Sequence, residues 1–131
     1  MKLVDCEPKY WQFVRHLRTD ERNQNGFFSQ VNISERDQEI FMQKNFENYK
    51  VCIMDEIPVG YVGLIKGKEI TYCTHPDYNN RGIGTFMVQE FSKLYKNIEA
   101  LVKIENVASQ KVFEKLGWEK KILFEKKSST E

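Results

Sequence analysis

Residues 74–85 read THPDYNNRGIGT, between a strand-like run and a helix-like one. Two glycines one residue apart at the start of a helix let backbone come close to an anion. Without side chains at 82 and 84, amides can point at phosphate oxygens, and the helix dipole favours negative charge there. Arg81 adds a cation at the rim. Spacing excludes two other glycine-loop chemistries. A Rossmann fingerprint needs Gly or Ala where Met87 stands, and a Walker A loop needs Gly-Lys-Ser/Thr after four spacers. An anion site on the amides of residues 81–85 remains, and so does a plain tight turn made by Asn79, Asn80 and Gly82.

Such a loop needs elements on both sides. MKLVDCE alternates as a first strand and stops at Pro8. In PKYWQFVRHLRTDE, Tyr10, Phe13, Val14 and Leu17 share one helical face, and the polar NQNG at 23–26 ends it. Ser34 followed by Asp37 resembles a capping box with a shorter acid and opens a second helix to about Phe46. YKVCIMD, PVGYVGLIK and EITYCT read as an antiparallel meander, ended by Pro76, which has no N–H for pairing. Ile83, Met87, Phe91 and Leu94 then recur at helical spacing as far as about Lys96.

EALVKIE reads as a short buried strand and WEKKILFEKK as an alternating last one. Between them, NVASQKVFEKLG reads as a helix with Ala108, Val112 and Leu116 inward and Gly117 as its C-cap glycine. The order β-α-α-β-β-β-α-β-α-β predicts one α/β (α+β) domain over residues 1–127. Its sheet is expected to be mixed, mostly antiparallel, of about six strands flanked by four helices. The tail at 128–131 is expected to be disordered.

Composition sets outer limits. A chain of 131 residues with 40% hydrophobic and 30% charged side chains has room for one globular core. Its 20 basic and 19 acidic groups leave a net charge of +1, which gives no footprint for nucleic acid or an anionic membrane. Cys6, Cys52 and Cys73 are odd in number, far apart and without metal-ligand spacing, so they are expected to be reduced and buried, with no metal bound. The N-terminus has no signal-peptide h-region, and no apolar run approaches the roughly 20 residues of a membrane span. A cytoplasmic protein, monomer or homodimer, is the resulting expectation.

Two segments together resemble the GNAT superfamily of acyl-CoA-dependent N-acetyltransferases. ITYCTHPDYNNRGIGTFMVQEF is similar to the family's strand–loop–helix core that grips the cofactor pyrophosphate. ENVASQKVFEKLGW is similar to its later strand–helix segment ending in Leu-Gly-aromatic. The element order agrees from residue 1 to about 127. The resemblance implies acetyl-CoA in a V-shaped opening between the fourth and fifth strands, its pantetheine arm pairing with backbone around Tyr72, Cys73 and Thr74. It implies pyrophosphate on the amides of Asn79, Asn80, Arg81, Gly82, Ile83, Gly84 and Thr85. Asn106, Ser109 and Phe113 are implied to approach the cofactor from the last helix.

The chain departs from the pattern in places. Asn79 stands where the family usually has Gln or Arg, and Asn80 stands where Gly is common, although Asn is the non-glycine residue best suited to a left-handed backbone. Phe113 occupies the place of a tyrosine that serves many members as general acid, and Phe has no proton to give. The family's seventh strand is expected to be missing.

The implied reaction is direct attack of an amine on the thioester, with Thr74 as backbone donor to the oxyanion. An ammonium has no lone pair, so a base is needed, and Glu69, His75, Glu105 and Tyr72 are the candidates. Each also has an ordinary reading: solvated turn, outward ring, helix cap and core tyrosine. Cys73 needs no nucleophilic role. The stretch LRTDERNQNGFFSQVNISERDQ resembles the corresponding part of GNAT enzymes that acetylate amino sugars on nucleotides. That implies Arg15, Arg18, Arg22 and Gln30 near phosphate or hydroxyls, whereas an ordinary charged face reads the same residues equally. Small-molecule and peptide amines both stay open as acceptors. A catalytically inactive acyl-CoA-binding module and an unrelated nucleotide-binding domain are the competing readings.

Overall fold

A computed structural model describes residues 1–28 and 30–127. Strand β1 (Lys2–Asp5) leads through a 3-10 turn at Pro8–Tyr10 into α1 (Trp11–Thr19). A longer 3-10 segment, Glu21–Gly26, precedes α2 (Glu35–Asn45), whose first turn is capped by Ser34 accepting from the Asp37 amide at 3.1 Å. Strands β2 (Tyr49–Met54), β3 (Ile57–Ile65) and β4 (Glu69–Thr74) follow, then α3 (Ile83–Ser92) and α4 (Val107–Lys115). The sheet order is β1-β2-β3-β4, antiparallel throughout. The β2–β3 turn places Asp55 and Glu56 at φ 52 and 67, the left-handed pair that a two-residue hairpin turn requires.

The sheet divides two cores. Val59, Val62, Ile70, Ile83, Met87 and Phe91 are buried together on the α3 face. Val14, Leu17, Met42, Val51, Tyr61 and Cys73 are buried on the α1–α2 face. Alternation along β3 and β4 sends successive side chains to opposite cores, as Tyr61 and Val62 show. All three cysteines are free and buried, as the sequence predicts.

Two expected strands do not form. Residues 99–105 touch β4 only at a parallel bridge between Glu69 and Glu99, through Ile70 N–H to Glu99 O (2.8 Å) and Glu99 N–H to Lys68 O (2.9 Å). Beyond it the segment leaves the ladder, and Lys103 Nζ donates instead to the carbonyls of Asn25 and Phe27. With no fifth strand edge to meet, residues 119–127 stay outside the sheet and exposed, Ile122 and Phe124 included. The sheet therefore has four strands among the described residues, not six. Residues 128–131, read as a disordered tail, lie outside the described residues.

The inward stripe of α4 is also rotated from the expected one. Ser109 and Phe113 are its buried residues, while Ala108 is exposed and Val112 and Leu116 are half-buried. The C-terminus of α4 explains why Phe113 turns in. Gly117, at φ 80, lets its N–H reach Glu114 O and the Trp118 N–H reach Phe113 O, both at 3.0 Å. This Schellman pattern brings Trp118 back onto Phe113, ring centroids 4.9 Å apart.

Candidate functional site

The site begins with the free edge of β4. His75 N–H donates to Val59 O at 2.7 Å, so the odd-numbered residues of β4 turn their backbone toward β3. Ile70 donates the other way, to Glu99. By alternation, Tyr72 and Thr74 present N–H and C=O to the side that residues 100–104 have left. Cys73 is the exception among the three residues implied to pair with a ligand, because its backbone is committed to Tyr61 of β3. This gap lies beside β4, where the resemblance implies a V-shaped opening toward a fifth strand, but among the described residues its second side is loop and not strand.

At its mouth, a 3-10 turn (Pro76–Tyr78) carries the chain past Asn79 to Asn80, at φ 65, and Gly82, at φ 76. Gly82 is the N-cap of α3, and no side chain caps the helix. The first helical bond is Phe86 N–H to Gly82 O, so the amides of Ile83, Gly84 and Thr85 have no intrahelical acceptor. A Cβ on Gly82 would meet nothing within 4 Å, so the space before the helix is open. A Cβ on Gly84 would lie 3.0 Å from the Tyr72 ring and 3.8 Å from Thr74 Oγ1. The α3 terminus and the β4 edge are thus direct neighbours. Arg81 holds its guanidinium 5.1 Å from the Tyr78 ring centroid, beside the cradle. Uncapped amides, a helix dipole and open space fit a diphosphate.

The far wall is α4. Asn106 caps it, its Oδ1 accepting from Ser109 N–H at 3.1 Å. Ser109 Oγ lies 2.8 Å from the Tyr72 hydroxyl, and the Tyr72 ring meets Phe113 edge-on at 6.1 Å. Burial raises the Tyr72 pKa, and the bond to Ser109 acts in the opposite direction. Neither the Tyr72–Ser109 bond nor the rotated face of α4 was expected from sequence. The signal was the Asn-x-x-Ser spacing, which reads as an N-cap reaching three residues on.

The candidate bases are scattered. Glu69 sits at the closed end of the gap, paired with Ile65, five residues or roughly 16 Å along the strand from Thr74. His75 Nδ1 accepts from the Asp77 amide at 3.1 Å, which places the proton of a neutral ring on Nε2 and engages its lone pair. Glu105 is exposed just before α4. Burial pushes the Cys73 thiol up to about 12, far from a thiolate at neutral pH.

Arg15, Arg18 and Arg22, which the resemblance implies near the acceptor, are already engaged. Arg15 donates to Gln12 Oε1 at 2.6 Å and lies 3.7 Å from Glu35, and Arg18 stacks 5.7 Å from the Phe41 ring centroid. Arg22 reaches the site, binding Asp20 at 2.8 Å and Asp77 at 2.9 Å. Gln30 is exposed. Among the described residues, no cluster of three metal-ligating side chains occurs, and no helix is long and apolar enough to cross a membrane.

Residues 2–119 match the family model described as an acetyltransferase (GNAT) domain. The chain belongs to the GNAT acetyltransferase family. None of the curated proteins matches its sequence. Solved structures share the fold at low identity. The ribosomal-protein-alanine N-acetyltransferase of Brucella melitensis superposes with TM-score 0.77 at 11% identity, covering 89% of this chain and 83% of that one. A spermidine N-acetyltransferase from Vibrio cholerae, solved with CoA and spermine, gives 0.75 at 17%, covering 88% and 79%. An aminoglycoside 6'-N-acetyltransferase from Acinetobacter haemolyticus gives 0.61 at 14%, covering 98% and 100%. Within this GNAT domain, the described residues from Tyr72 to Phe113 hold the free strand edge, the uncapped helix and the hydroxyl pair in one place.

Proposed function

We propose that the chain is a single acetyltransferase domain over residues 1–127 that moves an acetyl group from acetyl-CoA to a primary amine by direct attack. One observation carries the reading: the uncapped amides of α3 and the unpaired backbone of Tyr72 and Thr74 face one gap. Acetyl-CoA, as co-substrate, supplies the activated acyl group. The amides of Gly82, Ile83, Gly84 and Thr85 hold the diphosphate, with Arg81 at the rim. Tyr72 and Thr74 offer backbone to the pantetheine arm, and Thr74 N–H is the donor for the thioester carbonyl oxygen as it gains charge. Asn106 orders the first turn of α4 beside them.

The acceptor enters from the α1 side, past Arg22 and His75, and is a small-molecule amine or a peptide amine. The acceptors named for the Brucella, Vibrio and Acinetobacter proteins (a ribosomal-protein alanine, spermidine and an aminoglycoside) span this range. With the His75 lone pair engaged, the amine proton leaves to solvent.

Thermal unfolding with acetyl-CoA, CoA and ATP tests the cofactor. A ligand at 100 times its Kd adds about 2.7 kcal/mol of stability. The reading expects both CoA species to raise Tm and fails if neither does. Thiol release over a panel of amines, amino sugars and polyamines included, then separates an enzyme from the competing reading, a CoA-binding module without turnover. Phe113 is the residue that favours that second reading, because it offers no proton to the departing sulfur.

A further inference from the structure

We infer that the Tyr72 hydroxyl, held by Ser109, gives its proton to the sulfur that leaves when the thioester is cleaved. The inference rests on the acetyl-CoA reading and names the residue that completes its chemistry. Cleavage leaves a thiolate in a half-buried gap, where a negative charge without a hydrogen bond is costly. Phe113 supplies no donor there. Tyr72 stands on β4 between the two groups that define the gap, close to the first turn of α3 at Gly84 and 2.8 Å from Ser109 of α4. Its ring is fixed at three points: against Phe113, under Gly84 and by its own hydroxyl. Ser109 is itself fixed, because Asn106 accepts from its amide. Burial raises the Tyr72 pKa, so the proton is present at neutral pH.

The step balances. The amine nitrogen bonds to the acetyl carbon, and the C–S bond breaks with its electron pair on sulfur. Sulfur takes the Tyr72 Oη proton, and solvent reprotonates that oxygen through Ser109 Oγ. The amine nitrogen releases one proton to solvent, so none is gained or lost overall. Ser109 acts only as a positioning and relay residue.

Tyr72→Phe tests this while keeping the ring that packs on Phe113. Its kcat at neutral pH should fall about 100-fold, the scale of general acid catalysis, with acetyl-CoA affinity unchanged within about 3-fold. The decisive measurement needs no turnover. The thiol of bound CoA is titrated by its thiolate absorbance in wild type and variant. A phenol donating to the thiolate favours the charged form, so the bound thiol should ionise at lower pH in wild type than in Tyr72→Phe. Ser109→Ala should shift that titration part of the way, and Ser109→Thr, which keeps the hydroxyl, should restore it. CoA that binds both proteins and titrates at the same pH overturns the inference and leaves the cofactor reading standing. Failure of the wild type to bind CoA overturns both.

Discussion

On the α3–α4 face of the sheet, polar groups are left without partners among the described residues: the amides at the start of α3, the backbone of Tyr72 and the N–H of Thr74, whose carbonyl takes only a 3.8 Å contact from Cys73 Sγ. On the α1–α2 face the side chains along the α1 end are tied up, whereas the buried Gln38 Oε1 of α2 has no partner among the described residues. Arg15, Arg18 and Arg22 each sit on a carboxylate, an amide or a ring, and Gln24 and Asn23 bond carbonyls of α1 and its end. Backbone groups without a protein partner are open to water or to a ligand. Side chains already satisfied within the protein point to shaping and orientation instead. In the function we propose, the first face is the cofactor side and the second the acceptor side, and they can be broken separately.

The largest effect is expected at Gly84. Gly84→Glu places a Cβ 3.0 Å from the Tyr72 ring and a carboxylate at the start of α3, where we propose that the diphosphate binds. Acetyl-CoA affinity should fall at least 100-fold, about 2.7 kcal/mol. Isothermal titration checks it, and an unchanged Kd removes the cradle assignment. The mirror change lies on the other face. A Cβ on Gly63 would collide with the Tyr49 ring, which is buried against Phe41 and Tyr61. Gly63→Ala should cost about 1–3 kcal/mol of stability through overpacking, read from urea denaturation, and leave the acetyl-CoA Kd of the folded protein alone.

The same contrast explains what sequence could show. The α3 end of the sheet is legible because its requirements are local: glycines at 82 and 84 and a proline stop at 76 are fixed by short-range geometry, whereas the cap of α4 was read at Glu105 and is Asn106. The meander and the four helices are legible for the same reason. The missing fifth and sixth strands were not, because a strand exists only through its partner. EALVKIE has strand composition, but Lys103 ties it to the carbonyls of Asn25 and Phe27, about 76 residues earlier in the chain. The Tyr72–Ser109 bond and the Arg22–Asp77 bridge, 37 and 55 residues apart in sequence, were hidden likewise.

Alkaline pH separates the faces less sharply. Cys6 and Cys73, on the α1–α2 side, are pushed up to about 12, and Cys52, on the α3 side, to about 11, all by burial from an ordinary 9.0. A raised folded-state pKa gives stability that is complete below the unfolded value and lost as pH rises toward the folded one. Stability should be level up to about pH 9, then fall by up to about 1.4 kcal/mol per pH unit for each thiol. The Cys52 share should level off first. Urea midpoints against pH for Cys52→Ala and Cys73→Ala check this: above pH 11 only the second should flatten the curve.

The smallest effect is at Arg22, where the faces meet. Its guanidinium spans from Asp20, at the end of α1, to Asp77, two residues past His75. The hydrogen bonds to Asp20 and Asp77 raise its pKa further, so it is charged throughout the accessible range. Arg22 and Asp77 are more than half exposed, and an exposed ion pair contributes little to stability. Arg22→Ala should therefore barely move Tm. Its consequence should be kinetic and one-sided. Freed from the bridge, the 21–26 segment still has Lys103 on the Asn25 and Phe27 carbonyls, so it loosens without leaving. The acceptor KM should rise no more than about 5-fold, while the KM for acetyl-CoA stays constant. Equal rises in both would mean that the bridge holds the cradle loop through Asp77, and the acceptor would then have to be sought elsewhere on the α1 face.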